Sequence, residues 1–455
     1  SGGFSRYPVN GVVYGGMGAN VTGVGQIRDP FLDRRFREEN SDLAYFDQST
    51  AIMDDIEGSL DEVAGSGLQN ALNKLNEALS NFSSNPDQAT HANIVLTTTK
   101  NLVLNLKQYS AKLDDVANQQ KYDLQVSVDS LNSSLSKIAA LNKTIKDETA
   151  TIKEYQTGAY GPNELMDERN LLLDKISKYG DLNVQPNEDG TVTVKLNGKE
   201  VVKDDKFEQA RLTTSKDSGD VSLKWASDGK EMVLDNGSLK AYVDMINGAG
   251  FAAKGKAANF TKGIPYYKQG LDRIAGALVK AFNNSIPDCH TEGEHVHDDK
   301  TPKEFKELLT YKVDGNPTAA GLEVSKEWVD NISFIIPPPC VVDGAKNNAH
   351  ILELKDALTR DFDFNEFKGG VSEYINFYNG TIGQEKSYYQ NRLVTAASVV
   401  TNLNDTKDSV SGVNMDEEGA NLMLYDKAYK ALGRLMTTMD EALDMIINRM
   451  GTVGR

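Results

Sequence analysis

The sequence predicts an α+β chain. N- and C-terminal segments form a long-helix bundle or coiled-coil rod, and a β-rich domain is inserted between them. Three observations predict this class. Apolar residues recur at threes, fours and sevens from Pro30 to the break at Gly158, and again from Val371 onward. Near residue 180 the period falls to two, and an Asn-Gly pair follows. The C-terminal stretch carries an apolar line with a strict seven-residue repeat.

Composition bounds the reading. The chain has 455 residues, 39% hydrophobic and 25% charged, which is enough for two to four globular domains. No run of about 18 apolar residues occurs, so no transmembrane helix is expected. A net charge of −17 without a clustered cationic face argues against nucleic acid. Cys289 and Cys340 are the only cysteines. They allow at most one disulfide, so the fold does not rely on cross-links. The opening "SGGFSRYPVNGVVYGG" lacks a signal peptide and a starting methionine, and the expectation is that the true N-terminus has been removed.

Residues 1–30 read as an extended N-terminal segment. Residues 31–179 read as the N-terminal long helices of a rod domain. The first helix carries Leu32, Phe36, Leu43, Phe46, Met53, Ile56, Leu60 and Val63, and Gly65–Gly67 ends it. The second carries Leu68, Leu72, Leu75, Leu79 and Phe82. Asn85, Pro86 and Gln88 form a start signal for a third helix. No glycine follows until Gly158, and Leu102, Leu106, Tyr109, Leu113, Val128, Leu131, Leu135, Ile138 and Ile145 continue one face. A helix of about 60 residues, roughly 90 Å long, is implied. Few globular domains need one; rods do.

Residues 180–366 read as the β-rich inserted domain, with one or two helices. Val192, Val194 and Leu196 alternate up to Asn197-Gly198, a two-residue hairpin turn, and Val221–Trp225 is a further strand. A helix over Ile264–Phe282 places Leu271, Ile274 and Leu278 on one face. "IIPPPC" at Ile335–Cys340 is most simply a rigid extended linker. Residues 367–408 read as the C-terminal helix of the rod domain, with Ile375, Tyr378, Ile382, Tyr389, Ala396 and Leu403 on one line. The two helical ends should pack on each other, leaving the insert to project sideways.

Residues 409–455 read as an assembly helix. Leu422, Tyr425, Tyr429, Leu432, Met436, Met439, Leu443, Ile446 and Met450 follow one another by three and four, as in a coiled-coil seam. Asn414 and Glu417 form a capping box, and Gly451 closes the helix. Ala428, Leu435 and Ala442 widen the face beyond what one neighbour covers. An intramolecular helical hairpin is the simpler reading of such a face. A seam at a chain end points instead to assembly with other subunits.

That ending, "SVSGVNMDEEGANLMLYDKAYKALGRLMTTMDEALDMIINRM", resembles the C-terminal signature of bacterial flagellar axial proteins. "GFSRYPV", "IRDPFLDRRFREEN" at Ile27–Asn40 and "NELMDERNLLLDKIS" narrow the resemblance to the hook-associated protein 1 family, the first hook–filament junction proteins. The resemblance covers both ends well and the middle loosely. It implies a secreted, extracellular structural protein of the flagellum that forms a ring with copies of itself. Hook protein and the second hook–filament junction protein would be its neighbours, and an export chaperone would bind the C-terminal helix. Family members begin with a helix that pairs with the C-terminal one; without it, the terminal helix is expected to order only by association. Gly419 stands in the first turn where the family has a larger residue.

Two other readings compete. One is another flagellar axial protein (hook protein, flagellin or the second junction protein), which the paired long N-terminal helices and "NELMDER" disfavour. The other is a metal-dependent extracellular enzyme using the loop 289–299, "CHTEGEHVHDD". His290, His295 and His297 could hold zinc or nickel, but a Cys-His start followed by His-x-His is no standard spacing, and a solvated polar loop explains the composition more simply. The glycines of "GVVYGGMGANVTGVGQ" lack a P-loop lysine. His91 and His350 are isolated. No general acid and base stand out, so no catalytic residue and no cofactor are nominated.

Overall fold

The computed structural model describes residues 28–60, 67–155, 162–216, 218–250, 260–287, 305–311, 315–336, 347–411 and 415–449. It also describes short strands at 3–4, 8–9, 12–13 and 19–20. Two compact units are present. One comprises Ser1–Gly25 and Arg34–Thr401, the other Gln26–Asp33 and Asn402–Arg455. Val63, Cys289, His290, His295, His297, Cys340, Asn414, Met450 and Gly451 lie outside the described residues.

In chain order, β1 (Gly3–Phe4) pairs with β4 (Ala19–Asn20), and β2 (Pro8–Val9) with β3 (Val12–Val13), both antiparallel. Helices α1 (Pro30–Ser59), α2 (Leu68–Ser84), α3 (Ala89–Tyr155) and α4 (Asn163–Ile176) follow. Asp29 starts α1: its carboxylate accepts the Phe31 N–H at 2.8 Å and the Leu32 N–H at 3.4 Å, and Pro30 takes the first helical position. Asp33 also accepts Lys407 at 3.2 Å and Arg28 at 3.5 Å.

The seven-residue face of α2 is buried in full, with Leu68, Leu72, Leu75, Leu79 and Phe82 all inside. On α1, Met53 and Ile56 are buried, as is Leu60 just past its end, whereas Leu32, Phe36, Leu43 and Phe46 are half-buried. Helix α3 runs 67 residues without interruption. Leu102, Leu106, Leu113, Leu124, Val128, Leu131, Leu135, Ile138 and Ile145 form its buried side. Its start differs from the expected one. The Asn85 N–H bonds back to the Phe82 carbonyl and closes α2, so Asn85–Gln88 is a turn. Helical hydrogen bonding of α3 begins with the His91 and Ala92 N–H groups on the Gln88 carbonyl.

After α4 comes an antiparallel sheet in the order β5 (Leu182–Pro186), β6 (Val192–Leu196), β7 (Lys199–Lys203), β8 (Lys206–Phe207). Asn197 (φ 47°) and Gly198 (φ 79°) make the β6–β7 turn, both in the left-handed region that such a hairpin requires. Strands β9 (Ala210–Thr214) and β10 (Val221–Trp225) form a second ladder. Two asparagines of α3 dock these strands. Asn132 exchanges two hydrogen bonds with the Ala210 backbone, at 2.8 and 2.9 Å. Asn142, fully buried, donates to the Val192 and Asp204 carbonyls and accepts the Val192 N–H. Its Oδ1 also accepts Arg169 Nη1 of α4 at 2.9 Å, while the same guanidinium nitrogen donates to the Gly190 carbonyl at 2.8 Å. Burial lowers the Arg169 pKa to about 10, so the group stays charged at neutral pH.

Beside this junction, the Thr191 hydroxyl, 2.6 Å from Asp189, and Lys146, 2.9 Å away, hold the Asp189 carboxyl down to about 2. A carboxylate whose folded pKa lies below its unfolded value of about 3.8 stabilises the fold above that value, and the contribution is lost as pH falls toward 2. Asp189→Asn should therefore lower stability at neutral pH, with the difference from the parent closing between about pH 4 and pH 2 in urea titrations.

The described residues from Ser238 to Thr359 are more helical than expected. They contain α5 (Ser238–Asn247), α6 (Ile264–Phe282), β11 (Leu309–Tyr311) paired with β12 (Leu322–Val324), α7 (Lys326–Asp330) and α8 (Ala349–Thr359). Ile335, the first residue of the expected linker, is buried at the end of a 3₁₀ turn over Ile332–Ile335, and 337–340 lie outside the described residues. The short ladder β13 (Phe362–Asp363) with β14 (Lys368–Gly369) leads into α9 (Val371–Ser411).

Aromatic rings join α6 to α9. Phe364 stacks on Tyr374 at 3.9 Å, and the Tyr378 hydroxyl donates to the Tyr267 carbonyl at 3.0 Å. Tyr266 donates to Glu366 at 2.8 Å. The Tyr378 ring passes so close to Gly270 that a Cβ there would stand 2.4 Å from it. Gly270→Ala should overpack this contact and cost about 1–3 kcal/mol, read as a lowered unfolding midpoint, whereas Gly276→Ala in the same helix meets open space.

Candidate assembly surface

The terminal helix α10 spans Met415–Asp444 and passes into a π-helical turn at Met445–Arg449. It contains no buried residue. Leu422, Tyr425, Tyr429, Leu432, Met436, Met439, Leu443 and Ile446 are all exposed, from 49% at Leu432 to 78% at Tyr429. The same spacing on α3 is buried almost completely at Leu124, Val128, Leu131, Leu135 and Ile138. The contrast separates a line that shapes a core from one left open on the surface.

A second line of side chains, Leu424, Ala428, Ala431, Leu435, Ala442 and Met445, lies beside the first at spacings of three and four, broken once by Thr438, with Leu424, Leu435 and Met445 more than half exposed. Spacing alone shows Ala428, Leu435 and Ala442; Leu424, Ala431 and Met445 complete the line. The remaining arc is mostly polar, with Met423 and Ile447 also exposed on it. Lys430 pairs with Asp426 at 2.7 Å, one turn apart. Thr437 and Thr438 donate to the Gly433 and Arg434 carbonyls four residues back, which satisfies their hydroxyls within the helix.

Asp416, Glu417 and Glu418 stand in the first turn, where a helix end favours negative charge. Gly419 beside them has open space around it. Gly419→Ala is expected to raise the stability of this helix by about 1 kcal/mol, visible as increased amide protection over the first turns.

Fully burying large apolar side chains is worth roughly 1.5–3 kcal/mol each, so the eight exposed members of the first line could contribute on the order of 10 kcal/mol to a docked state before entropy is charged. Among the described residues no helix is long and apolar enough to cross a membrane. His91 and His350 sit in the first turns of α3 and α8, with His350 Nδ1 3.7 Å from Glu353. The candidate metal loop around His290, His295 and His297 lies outside the described residues.

Comparison with known proteins agrees with this architecture. Residues 53–293, over half of the chain, match the family described as flagellar hook-associated protein FlgK helical domain. Residues 408–450 match the flagellar basal body rod FlgEFG protein C-terminal family. Flagellar hook-associated protein 1 of Bacillus subtilis (strain 168) is 28% identical over 97% of this chain and 88% of its own length. The Escherichia coli (strain K12) protein of the same name is 23% identical over 95% and 90%. The solved structure of the flagellar hook junction protein FlgK from Burkholderia pseudomallei superposes with a TM-score of 0.63, covering 83% of this chain and all of that one; at 11% identity it speaks for the fold. The chain belongs to the flagellar hook-associated protein FlgK family.

Proposed function

We propose that this chain is a structural subunit of the bacterial flagellum, placed outside the cell at the junction of hook and filament, and that α10 is its assembly element. The observation that carries the reading is the exposed seven-residue seam on a terminal helix whose sequence is shared with axial rod proteins. The family assignment of residues 53–293 supports the junction rather than the rod or the hook itself. Copies of the same chain would form a ring, with hook protein below and the second junction protein above. Leu422, Tyr425, Tyr429, Leu432, Met436, Met439, Leu443, Ile446 and Met450 would form the contact line. An export chaperone would cover the same apolar face before assembly, because so many open side chains invite aggregation.

The reading is structural and not catalytic. Deleting the gene should leave cells with hooks but no filaments, and filament protein should accumulate in the medium. Normal filaments on such cells would refute the assignment to the junction.

A further inference from the structure

We propose that the cleft lined by α6 and the β13–β14 hairpin is a binding site for a neutral saccharide of one or two rings. The proposal goes beyond assembly and does not rest on it.

The cleft has a volume of about 470 Å³, within the range of small-ligand sites, roughly 300–1,000 Å³. One face of α6 lines it, where Gln269, Asp272, Arg273, Gly276 and Lys280 fall three and four residues apart. The hairpin contributes Phe362 and Asn365, and Asn316 with Pro317 completes the lining. All of these residues belong to the larger unit.

Gly276 sets the depth. Inside a helix, glycine costs about 1 kcal/mol relative to alanine. A Cβ at this position would meet no atom within 4 Å. Packing therefore does not demand the glycine, and what it leaves is open space in the middle of the lining.

The polar groups decide what fits. The side chains of Gln269, Lys280, Asn316 and Asn365 have no hydrogen bond or ion pair with the described residues. Asp272 accepts the Ala319 N–H at 2.8 Å through one oxygen, and its other oxygen has no such partner. Burial outweighs that single bond and raises the Asp272 pKa above its ordinary value. An apolar ligand would strip water from these groups and return nothing. An anion would meet Asp272 and Asp363, and a cation would meet Lys280 and Arg273. A hydroxyl both donates and accepts, so it suits a carboxylate, an ammonium and carboxamides within one cleft. The half-buried Phe362 ring offers an apolar surface to the C–H side of a sugar ring. A saccharide combines these properties. A peptide carries fewer groups that act both ways.

Saturation-transfer NMR on the full chain tests this, with glucose, N-acetylglucosamine and maltose as ligands and glucuronate, spermidine and tetraglycine as contrasts. At least one neutral sugar should bind at millimolar concentration, and each contrast more weakly. Gly276→Leu fills the cleft and should abolish the signal without lowering the unfolding midpoint. Gly380→Leu on α9, which also meets open space, should leave binding unchanged. Lys280→Ala removes one charged donor and should weaken binding about tenfold. Absence of binding by all three sugars overturns the proposal, as does undiminished binding in Gly276→Leu. Tighter binding of glucuronate, spermidine or tetraglycine overturns the ligand class. Should Gly276→Leu fail to fold, Gln269→Ala combined with Lys280→Ala carries the same test: lost binding supports the site, and undiminished binding overturns it.

Discussion

Replacing Leu432 and Met436 together by glutamate should abolish incorporation of the chain into flagella while leaving the rest of the fold intact. Both side chains are exposed in the free molecule, at 49% and 72%, so the substitution removes no internal contact. On a docked seam it would bury two carboxylates without partners, at a cost on the order of 4 kcal/mol or more, or about a thousandfold in affinity. Circular dichroism and the thermal midpoint should match the parent, and cells carrying only the variant should grow no filaments. Lys430→Ala, on the polar arc, removes one exposed ion pair and should assemble normally. Filaments on the double variant, with the protein present at their base, would show that the seam is not the contact.

The second large effect is expected inside the body. Asn142→Ala removes the group that ties α3 to β6 and α4 at once. The Val192 N–H, two carbonyls and the Arg169 guanidinium each lose a partner in a site closed to water. Leaving a charged group and several backbone groups under-bonded should cost about 3–5 kcal/mol. Asn142→Asp should recover part of this, because a carboxylate can still face Arg169 although it cannot donate to the Val192 and Asp204 carbonyls. Urea unfolding with an unchanged slope and a lower midpoint would confirm the loss; a midpoint equal to the parent's would show that the network is dispensable.

Local chemistry made much of this fold legible in the sequence. The absence of glycine and proline between Ala89 and Tyr155 marked the long helix, and Asn197-Gly198 marked its hairpin because few other pairs tolerate two positive φ angles in succession. The strand at Val221–Trp225 and the helix at Ile264–Phe282 lie where their periods place them. Boundaries failed where one residue serves two elements. Asn85 has the side chain of a helix starter, yet its backbone closes the preceding helix.

The helices α5 and α8 span 10 and 11 residues, too few for their period to stand out beside neighbouring turns. Nothing local announces that Asn142 and Arg169 will meet, since their bond joins two different helices. For the candidate surface, the sequence supplied the line of large residues. The exposure of that line, and the π turn at Met445–Arg449, belong to the three-dimensional structure.

The uninterrupted course of α3 has a mechanical consequence. At 1.5 Å per residue its 67 residues make a strut about 100 Å long, with backbone hydrogen bonds aligned along its axis. Its stiffness depends on that unbroken ladder. Proline introduced halfway, for instance at Gln120, would remove one backbone bond, clash with the preceding turn and kink the strut at its middle.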